Sequence, residues 1–546
     1  LAARLSLSTQ KHVLAQETMA SLLLTACLAL SAAALIEGLD EVTWGAVVFT
    51  YHGEKIPVLH DGPYNLTPLG ANQLLLAGQT LRDRYLSASP NNTEITLSFP
   101  INGLSVNAID NSQMDVSGMT DEYVTASALA FMQGLYPPRD AVIVDGESIM
   151  GNGSLEQFPL DGYQYPNIAS MSALDYNYIW LAGDIGCPNY MNSAIETVST
   201  SDFVNQATAS QSFYDALAST VFAGIDPDTV NYDNALNLYE FALYQYNHNQ
   251  TVYNSLDPSD LDALFVLASE QQWAYNTPSG GNSINSIAGQ TFASKVVQQL
   301  GHNIESQGMS DKLTLMFGSH QPFTSFFALS NLSTGPAAKA FNSMPQHGSF
   351  MAFELFSNPT SFPNNSIPFP TNEDGLYVRF LFRNGTDDRA PIIQYPLFGR
   401  GNSEVDMPWN DFVNAMYDIS INYPADWCTT CGAANLFCQG IEVNVLNSTG
   451  QISNPSSSPS HSSLSPAIAG VIGATVTLAV GILVGVIACL FGFRVNYQSR
   501  ASQGNAGDLG VLRSGGFKGA EKLASDTDLR LKGGAGATVV RHERVG

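Results

Sequence analysis

Residues 466–493, "PAIAGVIGATVTLAVGILVGVIACLFGF", run for 28 positions without a charge. At about 1.5 Å of rise per residue, a helix of that length exceeds the roughly 30 Å hydrocarbon core of a bilayer. The stretch is therefore expected to be a transmembrane helix. The tail that follows, 494–546, holds nine Lys/Arg against five Asp/Glu, the bias of a cytoplasmic flank. A removable lipid-anchor signal does not fit, because such signals end on their apolar tail. The expected arrangement is single-pass and type I, with the N-terminal side outside, in the secretory pathway and at the cell surface. Gly473, Gly481 and Gly485 lie in the span, and the last two have a Gly-x-x-x-Gly spacing that permits a homodimer through the membrane helix. The Gly-rich polar tail is expected to be disordered and shows no catalytic signature.

The remaining segments follow from this topology. "MASLLLTACLALSAAALIEG" has an apolar stretch and then Ala32-Ala33-Ala34, which reads as a signal peptide over 19–34. An uncleaved anchor is the competing reading, since 19–36 is uncharged throughout. "QISNPSSSPSHSSLSP" is Ser/Pro-rich and cannot bury a core, so 447–465 reads as a stalk. The folded part is then about 39–446. Between Leu35 and Ser465 there are 11 Lys/Arg against 42 Asp/Glu, and a mean field of that sign repels nucleic acid and anionic lipid, which makes them poor partners.

Outside the membrane an even set of cysteines remains: Cys187, Cys428, Cys431 and Cys438. In an oxidising compartment these imply two disulfides with three possible connectivities. "CTTCGAANLFC" has no histidine at ligand spacing, so zinc is not expected, and no cofactor motif is read. Sequons at Asn65, Asn91, Asn152, Asn249, Asn331, Asn364, Asn384 and Asn447 all fall on the proposed outer side.

The folded part begins strand, loop, helix. "VTWGAVVFT" is rich in β-formers and leads into Tyr51-His52-Gly53; "NLTPLGANQLLLAGQTLRDRYL" follows, with Thr67 as N-cap and Pro68 at the first helical position. A middle block, 166–289, is mainly helical, including "SDLDALFVLASEQQWAYN" with Ser259 as its cap. "KLTLMFGSHQPFTSFFAL" is again strand, loop, helix and puts His320 at a strand's end. "GSFMAFELF" and "LYVRFLFRNG" read as a hairpin or neighbouring strands. The alternation implies an α/β sheet, whose ligands usually sit beyond the strands' carboxyl ends. His52 and His320 both occupy that kind of position, and no internal repeat is seen.

In order along the chain, "HGEKIP", "LTPLGANQLLLAGQTLRDRY", "SALAFMQGLYPP", "GSHQPFTSFFAL", "VRFLFRNG" and "DWCTTCGAANLFC" resemble the histidine acid phosphatases, the phytase-like branch of the histidine phosphatase superfamily. The resemblance implies an α/β core sheet flanked by helices (39–165 and 290–446), an inserted, mainly helical cap (166–289) and, in this chain, the added C-terminal transmembrane helix. It also implies chemistry. In the family pattern Arg-His-Gly-x-Arg-x-Pro the histidine attacks phosphorus, arginines there and in a later Arg-Ser/Thr stretch hold the phosphate oxygens, and a His-Asp pair assists and protonates the leaving group. A phosphate dianion is matched by planar guanidinium forks, and an alkoxide departs poorly without a proton donor.

By that resemblance His52 takes the nucleophile position and His320 the second-histidine position. The first arginine, however, is Tyr51, the second is Lys55 and the acid of the His-Asp pair is Gln321. The Arg-Ser/Thr stretch aligns with "NAIDNSQMD", which offers Asp110 or Asn111 instead. Losing two or three charge-assisted hydrogen bonds removes about 3 to 9 kcal/mol of transition-state binding, roughly two to six decades of rate. Losing the acid removes about 10² to 10⁴ more. Lys55 brings a point charge, not a fork. The expectation is a membrane-anchored pseudophosphatase acting in binding, sensing or at the surface, with its ligand unknown and Tyr51, Lys55, Asp110 and Gln321 lining the pocket. The rival is an active or slow phosphomonoester hydrolase using His52, with Glu54 or Asp115 as acid and Arg82, Arg84 or Arg139 restoring the anion site. The literal His60-Asp61 pair lies in the loop after the first motif and is not expected to be catalytic.

Overall fold

The computed structural model describes residues 41–86, 98–139, 148–278, 283–334, 338–358, 368–387 and 390–441. All belong to one compact unit, Leu1–Ser453. The proposed signal peptide, stalk, membrane span and tail, together with Asn91, Asn364 and Asn447, lie outside the described residues. Among the described residues no helix is long and apolar enough to cross a membrane.

The chain begins with β1 (Val42–Tyr51), buried along its whole length. Thr67 then caps α1 (Pro68–Tyr85), its hydroxyl accepting from the Gly70 amide, with Pro68 at the first turn where no partner for its nitrogen is needed. Next come β2 (Met114–Met119), α2 (Glu122–Leu135) and β3 (Ile168–Met171). The helical stretch consists of α3 (Pro188–Thr197), α4 (Ser201–Ala218), α5 (Ala235–His248), α6 (Gln250–Ser255) and α7 (Pro258–Asn276). The cap of α7 is not Ser259: the Asp257 side chain, two residues earlier, accepts from the Ser259 amide. The chain returns through α8 (Ile287–Glu305), β4 (Leu313–Gly318) and α9 (Gln321–Leu329). It closes with β5 (Phe350–Ser357), β6 (Leu376–Arg383), β7 (Ile393–Tyr395), β8 (Asp406–Pro408), α10 (Trp409–Ile419) and α11 (Pro424–Cys431).

This is a mixed α/β fold with a central sheet flanked by helices. The strand order is β3-β2-β4-β1-β5-β6-β7, with β8 on β6. β1, β2, β3 and β4 are parallel, and β5 runs antiparallel to both β1 and β6. β5 and β6 are thus neighbours, joined by a long connection rather than a tight hairpin. Tyr51 registers with Gly318, so β1 and β4 end level and deliver the residues that follow them to one place.

Two apolar cores form. The larger packs helices on the sheet; the smaller runs from Phe203 to Ala268 and takes in Met344 from the loop before β5. β3, inside the block expected to be helical, is a sheet strand, and Tyr178, Ile179 and Trp180 join the sheet's core. The layer with its own core therefore starts near Phe203. Cys187 is bonded to Cys431 and Cys428 to Cys438, the first bridge spanning 244 residues and tying the start of α3 to α11. Asn65, Asn152, Asn249, Asn331 and Asn384 are all exposed.

Candidate functional site

The His52 loop is fixed by contact between backbones. A Cβ on Gly53 would meet the Gly70 carbonyl at 2.4 Å, and one on Gly70 would meet the Glu54 carbonyl at 2.2 Å. Only glycine at both positions lets the loop lie on the first turn of α1. The Gly53 amide donates to Ser127 Oγ (3.1 Å) and the His52 amide to the Gly318 carbonyl (3.1 Å). The imidazole is thereby anchored to α2 and to the end of β4.

Three imidazoles gather around Tyr51. His52 lies 4.5 Å from its ring, His347 stacks on it at 5.0 Å, and His320 meets it edge-on at 6.0 Å. Tyr51, His52 and His320 are 4%, 2% and 3% exposed, so the group lies beneath the surface. His52 Nδ1 faces the Gly53 carbonyl at 2.8 Å. A carbonyl only accepts, so Nδ1 carries the hydrogen and the Nε2 lone pair is left for chemistry. His320 Nε2 donates to Gln272 Oε1 of α7 (2.9 Å), and His347 Nδ1 donates to the His52 carbonyl (3.2 Å). Burial holds His52 well below the usual imidazole range, pushes His320 down to about 4 and lowers His347. All three are neutral near pH 7. Burial, reinforced by Glu240, raises the Tyr51 phenol, which therefore stays protonated.

Lys55 is not available as an anion-binding charge. Its Nζ lies 2.7 Å from Glu240 Oε2 of α5, with both side chains largely buried (9% and 12% exposed). It sits 5.4 Å above the Tyr123 ring, which in turn meets His52 edge-on at 4.7 Å. Glu54 is also committed: its carboxylate accepts from Thr67 Oγ1 (2.9 Å) and Asn247 Nδ2 (2.6 Å) and pairs with His248 Nε2 (2.5 Å). The consecutive residues Glu54 and Lys55 thus grip His248 and Glu240, two turns apart on α5, and join the helical layer to the sheet.

Several sequence expectations need correction. Asp110 and Asn111 precede β2 and lie at the opposite end of the sheet from His52. Asp110 closes a turn by accepting from Ser112, and Asn111 accepts from the Asn167 amide. The residue following β2 that does face His52 is Tyr123. Asp115, next to the start of β2, accepts from Gln299 (2.8 Å) and lies 3.8 Å from Lys295, so it cannot serve the site as an acid. Arg82 donates to the Leu135 and Val106 carbonyls, Arg84 pairs with Glu354 and Arg139 donates to Asn107. Arg383, which ends β6 at the same end of the sheet as His52, donates to the Ala390 and Asp387 carbonyls. Gln321 opens α9 half-buried, and among the described residues its side chain makes no hydrogen bond. His60 is turned to the Asp61 carbonyl away from the cluster.

Sequence reasoning missed His347, Tyr123, Glu240 and Gln272. The His347-Gly348 pair before a β-rich run was the one local signal; the other three arrive through helix packing. Among the described residues no group of three His, Cys, Asp or Glu is placed to hold a metal ion.

The chain is similar in structure to the Klebsiella sp. ASR1 phytase, at 14% identity and a TM-score of 0.46, covering 70% of this chain and 96% of that one. It is similar to the Citrobacter braakii phytase at 13% and 0.45, covering 70% and 98%. It is similar also to the Bifidobacterium longum multiple inositol polyphosphate phosphatase at 12% and 0.37, covering 70% and 95%. No protein-family model and no curated protein matches the chain.

Proposed function

We propose that this chain is a membrane-anchored, phosphatase-like binding protein whose His52 cleft takes an uncharged, hydrogen-bonding ligand and does not transfer phosphate. The observation that carries the reading is the Lys55–Glu240 pair. A phosphate dianion entering the cleft meets a cation already matched by a carboxylate, with neutral imidazoles and phenols around it. Stabilising a transferring phosphoryl group requires charge aimed at its oxygens, and the guanidiniums of Arg82, Arg84 and Arg139 are engaged elsewhere. The groups present suit stacking and neutral hydrogen bonding: Tyr51, Tyr123 and three imidazoles.

A slow phosphatase is the second reading, favoured by one feature. His52 has its Nε2 lone pair free and its Nδ1–H fixed, the state a nucleophilic imidazole needs. Assay of the full chain with p-nitrophenyl phosphate and phytate across acid pH, beside His52→Ala, separates the two. The binding reading expects no turnover that depends on His52; turnover lost in the variant overturns it.

Anchoring rests on residues 466–493 and agrees with two disulfides and exposed sequons. Alkaline carbonate should leave the chain in the membrane fraction, and truncation before Pro466 should release it. Extraction of the full chain by carbonate would remove the anchor from the account.

A further inference from the structure

A second cavity, of about 680 Å³, opens on the outer side of α8. Its wall comes from three places. α8 offers Lys295 and His302 two turns apart, the short helical turn Tyr176–Trp180 offers Tyr176 and Asn177, and the segment from the end of α10 to α11 offers Tyr417 and Tyr423. Lys295 lies 3.8 Å from Asp115 near the start of β2. The cavity shares no lining residue with the His52 cluster.

Its chemistry is specific in three respects. First, three tyrosine rings stand on its rim half-exposed or more, Tyr176 at 50%, Tyr417 at 50% and Tyr423 at 67%. Open aromatic faces grouped on one rim can stack on apolar C–H surfaces. Second, among the described residues the side chains of Tyr176, Asn177, His302, Tyr417 and Tyr423 make no hydrogen bond. All five residues line the same hollow. Third, the local charge is balanced: Lys295 donates to Gln299 and faces Asp115. The chain's formal net charge of −26 disfavours a polyanion.

We propose that this cavity is a carbohydrate-binding site for a neutral oligosaccharide. A sugar ring offers both things the wall asks for, an apolar C–H face for the tyrosines and hydroxyls that donate and accept around its edge. The volume lies within the range of small-molecule sites, about 300–1,000 Å³, and fits a few sugar units rather than a protein surface. The site is separate from the His52 cleft and does not depend on what that cleft does.

The test uses the full chain in a detergent without a sugar headgroup, titrated with maltotriose, cellotriose, laminaritriose and chitotriose and read by saturation-transfer NMR. At least one trisaccharide is expected to bind with a Kd near or below about 1 mM. Tyr423→Ala and Tyr417→Ala should each weaken it about tenfold, the loss of one stacking face, while His320→Ala leaves it unchanged. Tyr423 is exposed enough that its variant keeps the fold, and an unchanged melting midpoint verifies this. Failure of all four sugars to bind overturns the proposal. So does binding that survives both tyrosine variants, or binding that disappears in His320→Ala.

Discussion

Two buried ionic groups of this molecule treat positive charge in opposite ways. Towards the start of β1, Arg84 and Arg379 close on Glu354, with Nη2 of Arg84 2.9 Å and Nε of Arg379 3.3 Å from its carboxylate. Arg379 also pairs with Glu41, and both guanidiniums lie over Phe99, at 4.6 and 5.1 Å. At the other end of β1, beyond its carboxyl terminus, the cleft holds a single lysine matched by Glu240. These two forks are thus employed in holding β5 and β6 to their surroundings, while at the other end of the sheet Arg383 donates to the Ala390 and Asp387 carbonyls and Lys55 is compensated by Glu240. What this teaches is that an inventory of arginines says little about anion binding until each one's partner is known.

Removing the shared carboxylate breaks the comparison most severely. Glu354→Gln leaves two buried guanidiniums poorly matched and is expected to cost about 3–5 kcal/mol of stability, read as a lower urea midpoint. The matching change in the cleft, Lys55→Met with Glu240→Leu, removes both charges together and is expected to cost far less, because a buried pair roughly breaks even against apolar side chains. Equal losses in the two variants would erase the distinction.

Acidification sharpens the picture of the cleft. His320 titrates in the folded chain at about 4, against about 6.5 when unfolded. Below pH 6.5 the unfolded chain takes up a proton that the folded chain refuses, so stability falls as pH drops from 6.5 towards 4, by about 2–3 kcal/mol from this residue. Above pH 6.5 its contribution is flat. Urea midpoints at pH 7 and 4.5 should lie closer together in His320→Gln than in the parent chain. An undiminished pH dependence would show that the imidazole is not held neutral by burial.

Glu240→Gln unbalances the cleft in the other direction. Lys55 then has no countercharge, and orthophosphate binding should strengthen about tenfold, the value of one charge-assisted contact, as measured by calorimetry. The same change removes the carboxylate that raises His320 and His347, so both should titrate lower still by NMR. The smallest effect is expected at His60→Ala. This half-exposed residue stands outside the cluster, and the change should alter stability by no more than about 0.5 kcal/mol.

Much of the scaffold was legible because its signals are local. Thr67 and Pro68 announce a helix start within two residues, and β-formers ending in a histidine mark both strand ends. The site was legible only where it hangs on those strands, at His52 and His320. Tyr123, Glu240 and Gln272 come from helices whose faces are set by packing, so no spacing in the sequence ties them to His52. Asp110 and Asp115 illustrate the converse: they lie close in sequence to the strand that matters but at its amino end, and a parallel strand delivers only its carboxyl end to the cleft. The cysteine pairing depended on where α3 and α11 meet, information that no count of cysteines contains.

The central claim is that His52 does not accept a phosphoryl group. It is tested most directly by mixing the full chain with ³²P-labelled phosphomonoester, quenching in alkali to preserve phosphohistidine, and mapping the label by peptide. The account predicts no label on the peptide bearing His52, at any pH from 4 to 7, beyond that found with His52→Ala. Label on His52 that appears and turns over with substrate would contradict it.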